Sequence, residues 1–396
     1  MNILTRYVLG ELTKVFLVSL ATLTLLMMIV GVVREAAAQQ LPPGQLLQLL
    51  PFLLPDVLRM TIPVTLLLAT TSVYGRMSSA NEVVAVKAMG ISPMTLLWPT
   101  YIAAFLVSLV AVWLNDLAVS WGRNGAEQVV FGAVEEIAYN TLRTQRRYSS
   151  RSFAINVQRV EGRRLIRPTV SIPAKSKDVP SITITAEEAE LRSDYAAGVL
   201  KIILRNGQVE ADRLVTMQFP DVWEKEIPLH DASRAKTSAA PSTLALWAIP
   251  PEIARQKDVI DLLDRDLAAQ AAYQLFAGDF EGLGDREKWN QLAARRVGER
   301  NILNRLLVEP HRRWSAGFSC LFFAWVGAPM AIRRRKGEFL TSFFLCFLPI
   351  LIVYYPLLAY GIDGAKNGTV PPEAVWAGNL LLLAWGAWLL RNVVRY

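Results

Sequence analysis

Val15 to Val33 is an unbroken run without a charge. It has about the length, roughly 20 residues, that a helix needs to cross a bilayer. Arg6 and Lys14 precede it. Ala36-Ala37-Ala38 resembles a signal-peptidase site, so a cleaved leader is one reading of this run. The run is long for that role and further spans follow, so a retained first helix is expected. Lipid hides no unpaired backbone, which restricts such a chain to helices or a closed barrel. Runs of this length select helices.

Five more spans are expected. The piece from Leu46 to Leu54 is cut by Pro51 and Pro55 and reads as interfacial. A second span runs from Leu53 to Tyr74, with Asp56 and Arg59 near its outer end, and a third from Met94 to Leu114. Trp314 to Ile332 is the fourth, followed at once by Arg333-Arg334-Arg335-Lys336. Phe339 to Gly361 is the fifth and Ala374 to Leu390 the sixth, with Arg391 and Arg395 after it. Pro329, Pro349 and Pro356 mark expected kinks in spans four and five.

Between Asp116 and about Leu307 no window could cross a membrane. The first part reads as β. Ser152–Val160, Arg164–Ile172 and Ser181–Thr185 are rich in β-branched residues. Val199–Leu204, Asn206-Gly207 and Gln208–Met217 together predict a hairpin, because Asn-Gly suits a primed turn. An antiparallel sandwich or jellyroll is the natural packing. Val259–Phe276 and Arg286–Leu307 carry apolar residues at helical spacing among charges. The expected organisation is residues 1–115 for spans one to three, 116–250 for a β-jellyroll-like domain, 251–308 for a helical segment and 309–396 for spans four to six.

Charge sets the orientation. The chain carries a net charge of +8 over 396 residues. In a soluble protein that would suggest nucleic acid, but much of this charge flanks apolar runs, so no nucleic-acid partner is expected. With the N-terminus in the cytoplasm, Arg6, Lys14, Arg76, Lys87, the Arg333 cluster, Arg391 and Arg395 all lie inside. The short outer loops hold little beyond Arg34 and Lys366. Both termini are then cytoplasmic and the middle domain is external.

Two polar features stand out from this frame. Residues 75–93, GRMSSANEVVAVKAMGISP, are too polar for lipid. Ser79 followed by Glu82 predicts a capping box, Gly90 a left-handed helix end, and Pro93 a stop. A short helix between spans is either a surface connector or a coupling helix for a cytosolic motor subunit, and both readings stay open here. The second feature is a set of charges near the outer face. It comprises Arg34, Asp56, Arg59, Arg305, Arg312 and Arg313. For Arg34, Arg312 and Arg313, interfacial anchoring is at least as good a reading as function. Arg59 lies within a span, where an i,i+3 pair with Asp56 competes with lipid-phosphate binding.

Enzymatic chemistry has no visible seat. There is no GxxxxGK[ST], HExxH, GxSxG or CxxC, and His230 and His311 are the only histidines. Cys320 and Cys346 both fall in apolar runs. We expect a non-enzyme without cofactor or metal, drawing energy from a partner.

Three stretches carry a family resemblance. They are residues 75–92, Glu309-Pro-His-Arg-Arg-Trp running to Gly327-Ala-Pro-Met, and Gly368-Thr-Val-Pro-Pro with Trp376 and Asn379. Together with the 3+3 arrangement they resemble the LptF/LptG permeases of the lipopolysaccharide export ABC transporter, and residues 75–93 lean towards the F-type. The resemblance implies a bacterial inner-membrane protein with six helices and a periplasmic jellyroll. It implies a second homologous permease, a dimer of cytosolic ABC ATPases, a periplasmic bridge protein, and lipopolysaccharide as cargo. It places Glu82 at the ATPase, within a coupling set of Arg76, Ala88, Gly90 and Ser92. It places Arg34 near the lipid phosphates, and location extends that candidate set to Arg59, Arg312 and Arg313. Two other readings compete. One is an envelope scaffold without transport, and the other an ABC permease for another amphiphile such as a lipoprotein.

Overall fold

In the computed structural model, residues 3–39, 43–123, 125, 129, 138–149, 154–172, 182–194, 199–211, 215–228, 241–278, 280, 284, 286–334 and 339–395 are described. The chain divides into two compact units. One comprises Met1–Ile29, Leu53–Arg123 and Ala240–Tyr396, the other Val30–Phe52 and Asn124–Ala239.

Among the described residues, six helices are long and apolar enough to cross a membrane. The helical elements are α1 (Ile3–Gln39), α2 (Pro43–Ser79), α3 (Glu82–Ala88), α4 (Pro93–Leu117), α5 (Ile249–Ala277), α6 (Arg286–Arg333), α7 (Phe339–Pro349), α8 (Tyr355–Lys366) and α9 (Ala377–Arg395). Spans one to three are in α1, α2 and α4, and span four is in α6. Span five joins α7 to α8, and span six includes α9.

Span four is the centre of the first unit: 67% of its apolar window is buried, against 6% for span one. Glycines let α6 approach its neighbours closely. A Cβ on Gly317 would lie 2.9 Å from the Val112 backbone nitrogen in α4, and one on Gly327 would lie 2.8 Å from Leu67 Cδ1 in α2. Small residues at crossings are how membrane helices gain packing energy when lipid offers no hydrophobic contrast. Around these crossings Leu67, Phe323, Val326 and Tyr354 form one core cluster, and Tyr74, Leu96, Leu97 and Ala331 another. Thr65, Thr70 and Thr71 return their hydroxyls to carbonyls of their own helix, so no polar hydrogen is left facing apolar neighbours.

Two expected breaks are absent. Pro51 and Pro55 lie inside α2, which is one continuous helix from Pro43 to Ser79. Pro310 lies inside α6, so the helical segment leading to span four and the span itself are one 48-residue helix. Pro329 is likewise inside α6. In span five the ladder does give way: Ile350–Tyr354 is a π-helical turn between Pro349 and Pro356. Pro356 offers no N–H to the preceding turn, and a wider turn accommodates its ring.

Among the described residues, the second unit holds an eight-stranded antiparallel, curled sheet: β1 (Arg147–Ser149), β2 (Ala154–Asn156), β3 (Arg159–Glu161), β4 (Arg164–Ile166), β5 (Thr169–Ile172), β6 (Ile182–Asp194), β7 (Val199–Ala211) and β8 (Val215–Pro228). One edge of β6 pairs with β5 near its start and with β4 further on, while the other edge pairs with β7, which pairs with β8. The core is Ile155, Leu165, Val170, Ile184, Leu191 and Ile202, closed by a helical stretch over 138–145. Tyr139 on that stretch donates its hydroxyl to Arg163 O at 2.6 Å and accepts from Leu191 N at 2.9 Å.

Strand limits differ from expectation. Arg164–Ile172 is two strands, because Arg167 takes φ 47° ahead of Pro168. Ala154–Asn156 and Arg159–Glu161 are separate as well, and Ser152 lies outside the described residues. Asn206-Gly207 makes no hairpin turn. It lies within β7, where Asn206 takes φ 49° and the register to β8 slips between Arg205 and Gly207. The slip is a bulge whose extra residue lies on β8, where positions 220 and 221 oppose Asn206 alone, and Asn206 adopts the left-handed conformation that Asn tolerates. Gly207 is required by space: a Cβ there would lie 2.5 Å from both Phe219 Cζ and Thr185 O.

Candidate functional site

The first site is the turn between spans two and three. Glu82 opens α3, but the capping box does not form. Ser79 still belongs to α2 and donates its hydroxyl to Arg76 O at 2.9 Å. Asn81, at φ 59°, is the residue before α3 and provides no side-chain cap. The chain reverses in one left-handed residue, which leaves Ser79 no amide of α3 to accept from. Gly90 takes φ +75° as expected. Ser92 caps α4 instead, its hydroxyl accepting from Met94 N at 3.3 Å.

Buried valines and polar ties hold α3 in place. Val83 and Val86 are buried. Lys87 Nζ donates to Val393 O at 2.8 Å, which fastens α3 to the end of α9. Arg76 pairs with Glu11 of α1. Glu82 is half-buried and accepts a long hydrogen bond of 3.4 Å from the Tyr7 hydroxyl. Ala88, Gly90 and Ser92 are exposed, and so are Met89 (67%) and Ile91. The end of α3 and the turn after it therefore expose a small apolar surface, with a carboxylate at the start of the helix. Sequence reasoning left out Met89, Ile91 and Tyr7. The apolar pair between Ala88 and Ser92 was the available signal.

The second site is at the other end of α4. A cavity of about 690 Å³ is lined by Arg59, Arg305, Arg312 and Lys366, with Glu309 and Asp363 as its carboxylates. The cations come from α2, α6 and α8, so a helix bundle and not a loop sets their spacing. Arg59 pairs with Asp56 at 2.6 Å and donates to Asn115 Oδ1 at 3.1 Å. Arg312 donates through Nε to Glu309 Oε2 at 3.0 Å. Four cations face two lining carboxylates, so the cavity suits an anion. Guanidinium groups offer forked donors that match phosphate oxygens.

Arg313 does not join them. Its side chain is 0% exposed and its donors are committed: Nε to Glu309 Oε1 (3.1 Å), Nη1 to Asp116 Oδ1 (2.8 Å) and Nη2 to Leu244 O (2.6 Å). Placing it among the lipid-gripping arginines is thus corrected. Arg313 sits about 100° round the helix from Arg312, and its three bonds turn its side chain into the bundle instead of the cavity. Arg34 is exposed on α1 and belongs to the other compact unit. Lys366 and Arg305 complete the cavity although neither was a candidate ligand. Both are visible in the sequence as basic residues next to a span.

The stretches that flank this end interlock. Asn379 Nδ2 donates to Ser315 Oγ at 2.9 Å, Ser315 Oγ donates to Val375 O, and Trp376 Nε1 donates to His311 Nδ1 at 3.4 Å. These bonds bind the entry of span four to that of span six.

The fold and its cation-lined end define a multi-pass membrane protein with an antiparallel sheet inserted between its third and fourth spans. The model of the family described as lipopolysaccharide export system permease LptF/LptG matches residues 6–392, and the chain belongs to that family. No curated protein matches it. Members of the family are permease subunits of an inner-membrane ABC transporter for lipopolysaccharide and work with other Lpt proteins.

Proposed function

We propose that this chain is one half of the exporter's membrane channel, paired with a second homologous permease. A dimer of cytosolic ATPases docks on the α3 surface, with Glu82 as its charged contact and Arg76, Ala88, Gly90 and Ser92 shaping it. Both termini lie in the cytoplasm. The sheet is periplasmic and hands lipopolysaccharide to a bridge protein. Arg59 and Arg312, with Arg305 and Lys366, hold the lipid's phosphates, and Arg34 is a separate candidate for a lipid phosphate on span one.

The observation that carries this reading is the cavity with four cations and two carboxylates at the end of the bundle opposite α3. Asp56 pairs with Arg59 from outside the lining, which leaves one positive charge in excess, and a scaffold has no use for unbalanced charge beside a membrane. A lipoprotein cargo lacks the phosphates that such a set of donors fits.

The test is the lipid held by the assembled complex. Arg312→Gln should lower lipopolysaccharide retained per permease by about tenfold, since a hydrogen bond to a charged group contributes roughly 1.5–3 kcal/mol. Retention should also fall with added salt, because partly exposed charges are screened. Unchanged retention in both Arg312→Gln and Arg59→Gln would sink the phosphate assignment and favour a scaffold or another cargo.

A further inference from the structure

The chain leaves the first unit after Arg123 and re-enters it at Ala240. Both approaches to that insertion touch one side chain. Asp116 lies shortly before the exit and Leu244 shortly after the return, and Arg313 bonds both from span four. Leu246 N donates to the same Asp116 Oδ1 at 2.8 Å, which ties the returning chain directly to the outgoing one. Asn115 adds a weaker link, its Nδ2 donating to Arg313 O at 3.5 Å.

Stability alone does not call for this arrangement. A buried ion pair is often matched or exceeded by apolar residues of similar volume, and its best-attested use is to fix a register. Here it fixes two chain segments against span four through one guanidinium. The network also reaches the cavity. Glu309 Oε1 accepts from Arg313 Nε and from Arg312 Nη2 together, and Arg312 lines the cavity. A phosphate that draws Arg312 towards itself takes it from Glu309 and leaves that carboxylate to Arg313.

We propose that Arg313 is a positioning residue that relays occupancy of the cavity, through Arg312 and Glu309, to the two ends between which the sheet-bearing segment is inserted. This rests on the export reading for the identity of the ligand. It does not rest on it for the pin itself. Arg313 touches no lipid. It sets where the outgoing and returning chains lie relative to span four.

The experiment is hydrogen exchange on the full complex, read over residues 241–248, without ligand and with purified lipopolysaccharide. In the wild type, lipopolysaccharide should change exchange over 241–248. In ligand-free Arg313→Lys, which keeps a charge but loses the three-point fork, exchange there should rise by about tenfold with the spans unaffected. Lipid retention and ATP hydrolysis should stay within about twofold of wild type, while delivery to an acceptor falls by about tenfold. Asp116→Asn removes one ionic partner and should show the same split in milder form, which keeps the test decisive if the lysine variant folds poorly.

Unchanged ligand-free exchange in both variants overturns the pin. Joint loss of retention, hydrolysis and yield in both marks a merely structural arginine and overturns the relay. Wild-type exchange that ignores bound lipopolysaccharide also overturns the relay. A wild-type complex that retains no lipopolysaccharide sinks the export reading and the relay with it, and the ligand-free arm still decides the pin.

Discussion

Glu82 shows how little is needed to keep a charge available. It stands at the start of α3, and among the described residues its side chain meets the Tyr7 hydroxyl at 3.4 Å, too long to satisfy a carboxylate. A basic group on a docked subunit would meet little competition for it. Glu82→Lys reverses that charge and should weaken association with the ATPase by about tenfold, read as ATPase recovered per permease after purification. Equal recovery would remove Glu82 from the docking surface. Gly207 makes a different demand. Its hydrogen faces the Phe219 ring and the Thr185 carbonyl, so Gly207→Ala must displace backbone or ring. We expect a cost of about 1–3 kcal/mol, the range for overpacking a tight site. It should appear as faster amide exchange across β6, β7 and β8, with α4 and α6 unchanged. An unaffected sheet would show that Phe219 can move aside freely.

Elements differ in how much of them is local. The spans were legible because a crossing is written in about twenty consecutive residues and needs no distant partner. The turn at Gly90 was legible for the same reason. The joining of elements was not. Pro51 and Pro55 read as interruptions, yet α2 runs through them, and the helical segment and span four read as separate, yet both lie in α6. Packing against neighbours can hold a helix across a proline that would break an isolated one. Asn206-Gly207 carries a hairpin signal, but β7 is claimed on both sides by β6 and β8, and the signal becomes a bulge. The cation-lined cavity was half legible. Arg59 and Arg312 could be named, whereas the withdrawal of Arg313 depends on Asp116, 197 positions earlier, and on a carbonyl at Leu244. Span four gives a test at this scale. Gly327→Leu would drive a branched side chain into Leu67 and Thr70 of α2. The crossing must open, and folded protein recovered from the membrane should fall severalfold, while Gly284→Leu, in open space, should be silent. Equal recovery of the two would show that the α2–α6 crossing is not close-packed.

The whole molecule is asymmetric in charge and in burial, and both asymmetries bear on how it sits in the membrane. Basic residues gather at the α3 end of the spans, where Arg76, Lys87, Arg333 and Arg391 cluster, as expected for the cytoplasmic side. The carboxylates Asp56, Asp116, Glu309 and Asp363 balance part of the basic charge at the other end. Span one, almost wholly uncovered, is the surface left for lipid or for a second permease. Orientation can be measured without first removing the native thiols, because Cys320 and Cys346 are both buried and will react slowly with a polar reagent. Met89→Cys places a thiol on the exposed side of α3, and Glu161→Cys places one on an exposed strand of the sheet. In cells whose outer membrane alone has been opened, a membrane-impermeant maleimide should label Glu161→Cys at once. It should reach Met89→Cys only after lysis. The reverse pattern would put the sheet in the cytoplasm and move the cation-lined cavity to the inner leaflet. A lipid exported outward could not then be gripped there before extraction. Labelling of both sites before lysis would mean that the bundle does not seal the two faces from one another, which a six-span permease must do.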